Sequence, residues 1–113
     1  MAKYLPAIKD AQVVKRMEAG QYQLVLLTNV QSIGPIKYAH LLVVYPAGTT
    51  EPCFVVSSEV NNLASPEGPT HFLCTFPGEG HCNYGCSNEW ANLASFEKAA
   101  KEILSRELSI TID

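Results

Sequence analysis

Tyr22–Val30 reads YQLVLLTNV and Tyr38–Tyr45 reads YAHLLVVY. Both runs are apolar at nearly every position, as strands are when buried on both faces or central in a sheet. Further strands follow on either side. Cys53–Val60 (CFVVSSEV) comes after the turn signal Pro46-Ala47-Gly48-Thr49. His71–Phe76 (HFLCTF) lies between Ser65-Pro66-Glu67-Gly68-Pro69 and Pro77-Gly78-Glu79-Gly80, and the second cluster predicts a hairpin into His81–Tyr84. The connections are too short for parallel crossovers, which take a dozen residues or more. The expectation is an antiparallel sheet of roughly four to six strands, mostly a meander.

A helix follows the sheet. Trp90, Leu93, Phe96, Ala100, Ile103, Leu104 and Leu108 recur at three- and four-residue steps, predicting an amphipathic helix over Trp90–Leu108. Glu97 faces Lys101, and Lys98 faces Glu102, on its outer side. Ser87 or Asn88 would cap an early start and Ser95 a later one. The tail Leu108–Ile112 alternates with period two and reads as a short edge strand or a frayed end. The N-terminal segment has two readings. Asp10–Ala19 followed by Gly20 fits a helix with a glycine stop. It equally fits a strand turning at Glu18-Ala19-Gly20-Gln21. The tight turn into a certain strand favours the strand, with a short helix at Pro6–Asp10. The fold class is therefore α+β, one C-terminal helix lying across one face of the sheet.

The 113 residues fit a single domain over positions 1–113. The 47% hydrophobic share and 17% charged share place the chain away from disordered sequences, since a typical domain is about 25% charged. Net charge is −3, and no Lys or Arg occurs between Tyr38 and Glu97. Nucleic-acid binding needs a basic footprint, and none is present. No run approaches the ~18 apolar residues of a membrane span. The first residues lack the apolar stretch of a signal peptide, so the expected location is cytoplasmic, with the four cysteines as reduced thiols.

The densest set of chemically active residues is His81-Cys82-Asn83-Tyr84-Gly85-Cys86. Thiolates and imidazoles at a C-x₃-C spacing fit one half of a zinc site, which would need Cys74 with His71, or Cys53, as its second half. Residues three apart on a strand point to opposite faces, which works against His71 and Cys74 converging. The simpler reading makes Cys53 and Cys74 small core residues. Thiol chemistry is an alternative. Cys86 precedes the expected helix start, where the helix dipole lowers a thiol pKa. The simpler reading is a loop cysteine near a cap. His40, set among apolar residues, is either a base or a hydrogen-bonded core histidine, and the second fits its surroundings better. Glu59 with Ser57 and Ser58 would form a polar patch with His40 or His71, against the simpler reading of a solvated strand end. The loop Gln31–Ile36, with Ser32 and Gly34, is either a recognition loop or a plain connection.

One further feature points beyond the fold. Between Ala19 and Ser58 only Lys37 and Glu51 are charged. One helix covers one sheet face. The other face, expected to carry Gln23, Thr28, Ser57 and Thr75, would then be open and uncharged, as interface centres are. Three functions follow. The first is a non-catalytic protein-interaction or regulatory module, as a homodimer or with another protein, needing no cofactor. Its candidate binding residues are Ser32, Gly34, Tyr38, His40, Glu59, His71, Tyr84 and Trp90. The second is zinc or thiol chemistry at His81, Cys82 and Cys86, with Cys74. The third is a small-molecule pocket between sheet and helix, lined by Tyr22, Tyr38, His40 and Trp90.

Overall fold

A computed structural model describes residues 8–33, 37–49, 51–60, 71–76 and 82–110. Six strands run in chain order: β1 (Ile8–Ala19), β2 (Tyr22–Ser32), β3 (Tyr38–Pro46), β4 (Phe54–Val60), β5 (His71–Phe76) and β6 (Cys82–Ser87). Each pairs antiparallel with the next, so the sheet is an uninterrupted meander with β1 and β6 at its edges. A 3-10 turn over Asn88–Ala91 leads into the helix α1 (Leu93–Glu107). The architecture is α+β.

Helix α1 packs on one face of the sheet. Phe96, Ala100, Ile103 and Leu104 meet Leu24, Leu26, Leu42, Val44, Phe54, Val56 and Leu73 in one buried cluster. Strand alternation turns the intervening residues to the other face. There Tyr38, Leu41, Val43, Val55 and Phe76 form a second buried cluster. Tyr38 meets Phe76 edge-on, with ring centroids 6.5 Å apart. Both faces of the central strands are thus buried within one chain. This two-sided core accounts for the shortage of charge in the sheet. The four residues expected on one open face divide between two. Thr28 and Thr75 pair with His40 and Val56 on the helix side, while Gln23 and Ser57 point the other way.

Strand β1 settles the N-terminal ambiguity. It turns into β2 through Gly20 and Gln21, with Gly20 at φ +59, a left-handed conformation that glycine adopts without strain. Extended backbone begins at Ile8, so no helix occupies Ile8–Asp10; Pro6 lies outside the described residues. The ladder to β2 shifts register between Ile8 and Asp10, Asp10 and Gln12, and Val13 and Lys15. Asn29, at φ +49, takes up one shift, and its amide donates to Gln12 Oε1 at 2.8 Å.

The C-terminal helix is shorter than its apolar periodicity predicts. Ser87 caps the 3-10 turn, and Asn92, extended at φ −85 and ψ 124, interrupts the chain before α1. Asn92 Oδ1 accepts the backbone N–H of Ser95 at 3.1 Å and so provides the cap. Apolar spacing runs through the interruption because Trp90 and Leu93 both reach the same cluster. Strand β6 extends to Ser87, past the hairpin arm expected to end at Tyr84. Past α1, Ser109 sits at φ +53, and Leu108–Ile110 form no strand.

Candidate functional site

The sequence candidates on β3, β4 and β5 fall on two faces, and the first set ties the helical segment to the sheet. His40 is buried on the helix side. Its Nδ1 is 2.9 Å from Thr28 Oγ1, and its Nε2 is 2.9 Å from the Ala91 carbonyl oxygen. A carbonyl only accepts, so Nε2 donates to it, while Nδ1 and the Thr28 hydroxyl share the second hydrogen bond. The imidazole also lies 5.6 Å from the Phe96 ring, centre to centre. Beside it, the Ser58 hydroxyl donates to the Trp90 carbonyl at 2.5 Å. His40 and Ser58 pair across β3 and β4, so two neighbouring side chains hold two successive carbonyls of the 3-10 turn. His71, opposite Val60 and Ser87, shares this face. Burial, then the nearby His40, hold its imidazole below the usual histidine range. The Trp90 indole Nε1 is buried and makes no hydrogen bond among the described residues.

The second set lies across the sheet. A register shift between Tyr38 and His40 sends Tyr38 to the far face, opposite Glu59. Glu59 is only 7% exposed, so the solvated strand end expected from its residue type is a buried carboxyl. The Ser57 hydroxyl donates to Glu59 Oε2 at 3.3 Å. Burial first, then the Glu59 carboxylate and the neighbouring Cys74, push the Tyr38 hydroxyl up to about 12. Ser57, Ser58, Glu59 and the histidines therefore do not form one patch, because alternation separates Ser58, His40 and His71 from Ser57 and Glu59. The residues expected to line one pocket between sheet and helix do not share one space among the described residues. Phe96, Leu24, Leu26, Leu42 and Leu104 fill that space, and His40 and Tyr38 lie on opposite faces.

The candidate metal and thiol residues separate in the same way. Cys74 is buried on the face away from α1, opposite Ser57, while Cys53 packs against the helix-side cluster. Burial raises the Cys53 thiol above its ordinary value. Among the described residues no group of three metal-ligating side chains converges. His81 and the side chains of Cys82 and Cys86 lie outside the described residues. The backbone of Cys86 belongs to β6 and precedes a four-residue 3-10 turn; α1 itself starts only at Leu93, so Cys86 does not directly precede it. Ser32 Oγ accepts the Tyr38 backbone N–H at 3.0 Å, bracing the β2–β3 connection; Gly34 lies outside the described residues. Tyr84 is exposed and reaches the end of α1, with its hydroxyl 3.4 Å from Glu107 Oε1 and its ring 6.0 Å from the Arg106 guanidinium.

A different surface forms a shallow groove. On the face away from α1, Val13, Arg16, Gln23, Val25, Leu27, Tyr45 and Thr49 line an open groove of about 360 Å³. Val13 pairs with Leu27, Arg16 with Val25, and Gln23 with Tyr45, so three strands supply its floor. Residues three apart on a regular strand face opposite ways. The register shift between Val13 and Lys15 brings Val13 and Arg16 to the same side. Val13 is 43% exposed, whereas Val25 is buried at the groove's base. Among the described residues Arg16 is the one charged residue lining this groove, and its side chain makes no ion pair or hydrogen bond with them. By contrast, Lys15 next to it is bound to Glu97 at 2.8 Å on the helix side. A second depression of about 310 Å³ shares Arg16, Gln23 and Val25 and adds Met17, Glu18 and Leu24. Sequence reasoning missed this groove because the bulge that assembles it has no glycine or proline to mark it.

The chain matches no protein-family model, no curated protein and no solved structure. No helix among the described residues is long and apolar enough to cross a membrane.

Proposed function

We propose that this domain is a non-catalytic protein-interaction module, and that its contact surface is the groove over β1, β2 and β3. The observation carrying this reading is the groove's composition. It combines an apolar floor, a tyrosine, neutral polar residues at the rim and an arginine that is unpaired among the described residues. Interface centres are depleted in charge and enriched in tyrosine and arginine, and hot spots favour the same residues. Two of the described residues better suited to chemistry are occupied in holding the fold together. Both ring nitrogens of His40 are engaged, and Cys74 is sealed in the core. Cys53 and Cys74, as reduced thiols, would suit a reducing compartment such as the cytoplasm.

The test is site-specific photocrosslinking in the cells that make the protein. A photoreactive phenylalanine replaces Tyr45 in the groove or, as a control, Glu102 on the outer side of α1. Adducts from position 45 and none from position 102 support the reading. Equal yields from both positions, or none from position 45, contradict it.

A further inference from the structure

We infer that the free edge of β1 pairs with a second copy of this chain, antiparallel over Lys15–Ala19, with Arg16 of each copy opposite Glu18 of the other. β1 ends the sheet, so one row of its backbone groups has no strand beside it. All three of its register shifts lie at or before Lys15, which leaves Lys15–Ala19 as a regular ladder. The turn at Gly20 and Gln21 fixes which groups point outward. A two-residue hairpin closes on a hydrogen-bonded pair, here Ala19 with Tyr22, and hydrogen-bonded pairs alternate from there. Ala19, Met17 and Lys15 therefore bond inward to β2, while the N–H and C=O groups of Glu18 and Arg16 face the open edge. No other backbone hydrogen bond among the described residues uses them.

Charge selects the register. Arg16 and Glu18 are both exposed, share the face away from α1, and make no ion pair or hydrogen bond among the described residues. Outward-facing residues must oppose outward-facing residues. The two-fold registers therefore set Arg16 against Arg16, Glu18 against Glu18, or each against the other. Like charges directly opposed are destabilising and opposite charges favourable, which leaves the mixed register. In it, Arg16 and Glu18 of the second copy exchange both backbone hydrogen bonds, and the two-fold axis repeats the pair. Met17 meets its own copy on the axis, on the helix side, where it already packs against the core. Lysine commonly blocks a sheet edge, but Lys15 is drawn onto Glu97 of α1. Beyond the seam, exposed Val14 comes beside Gly20 of the second copy, which has no side chain to obstruct it. The groove floor at Val25, Leu27 and Tyr45 lies away from the seam and stays open.

The experiment is sedimentation of the purified full chain at rising concentration, up to about 1 mM. A seam this short sits at the weak end of protein contacts, so half-association is expected on the order of 0.1 mM. Arg16→Glu and Glu18→Arg each turn both opposite-charge pairs into like-charge pairs, and each should weaken association roughly tenfold or more. Mixing the two variants restores both opposite-charge pairs, so the mixture should associate about as tightly as the native chain. Amide exchange in the native protein needs no variant. Protection of Arg16 and Glu18 should rise with concentration, while that of Met17, bonded to β2, should not. A chain that stays monomeric at about 1 mM, charge reversals without effect, or folded variants that fail to associate on mixing overturns the inference. So does concentration-dependent protection centred elsewhere. Crosslinks from position 45 with no self-association would remove the second copy and leave the groove reading standing.

Discussion

Replacing His40 by alanine tests whether that histidine is an anchor. The substitution removes the contacts to Thr28 and to the Ala91 carbonyl, 2.9 Å each, and the ring's packing against Phe96. A buried polar group left without its partner costs about 1–3 kcal/mol. Ala91 itself is exposed, so its carbonyl regains water and the cost falls mainly on Thr28 and the vacated ring volume. The expected destabilisation is about 2–4 kcal/mol. Ser58→Ala removes only a hydroxyl, leaving the Trp90 carbonyl unpaired, and should cost about 1–2 kcal/mol. The two side chains hold adjacent carbonyls of one short turn. Once either is lost the turn loosens, so the double variant should cost less than the sum, by at least about 0.5 kcal/mol. Urea unfolding at constant m-value measures all three. A His40→Ala cost under about 1 kcal/mol, or strict additivity, would refute the anchoring argument.

Stability should also respond to pH through His71. Its imidazole is held below its ordinary value of 6.5, by burial and then by His40, so the native state favours the neutral ring. The unfolded chain binds the proton first as pH falls. This contribution is therefore complete above about 6.5 and declines as pH drops through the lower native value; urea midpoints at pH 7.5 and 5.5 should differ by less in His71→Gln. Glu97 works at lower pH. Burial pushes its carboxyl up, but Lys101 and Lys15 outweigh that and hold it below the usual range. Its contribution is present above the ordinary carboxylate value and lost as pH falls through the native one, and Glu97→Gln should flatten the acid limb of the melting-temperature profile. At neutral pH the same variant should cost at most about 1 kcal/mol, because both bridges lie at the surface. Cys74, 1% exposed, should react with a thiol reagent only upon unfolding, whereas half-buried Cys53 should react in the folded protein.

The sheet was legible in the sequence because continuous apolar runs such as Leu24–Leu27 and Leu41–Val44 have few other uses in a chain this short. Helix α1 was legible from the spacing of Phe96, Ala100, Ile103 and Leu104. Its start was not, since an extended Asn92 leaves no gap in the apolar spacing. The faces were harder to read. Alternation assigns them only where register is regular, and β3 slips between Tyr38 and His40 just where candidate residues cluster. The expected open face was misread for a related reason: a second cluster around Leu41, Val43 and Val55 uses the uncharged residues that suggested an interface. His40 behaves as the core histidine its neighbours implied. The groove depends on the bulge in β1 beside Val14, which no residue type announces.

The claim at the centre of this account is that Arg16 and its groove are where the protein meets its partner. The most direct measurement is the crosslinking yield from the photoreactive residue at position 45 in cells, with Arg16 intact and with Arg16→Gln. A drop of roughly tenfold in the variant, at equal expression and an unchanged fold, is the predicted result. An undiminished yield would contradict the account.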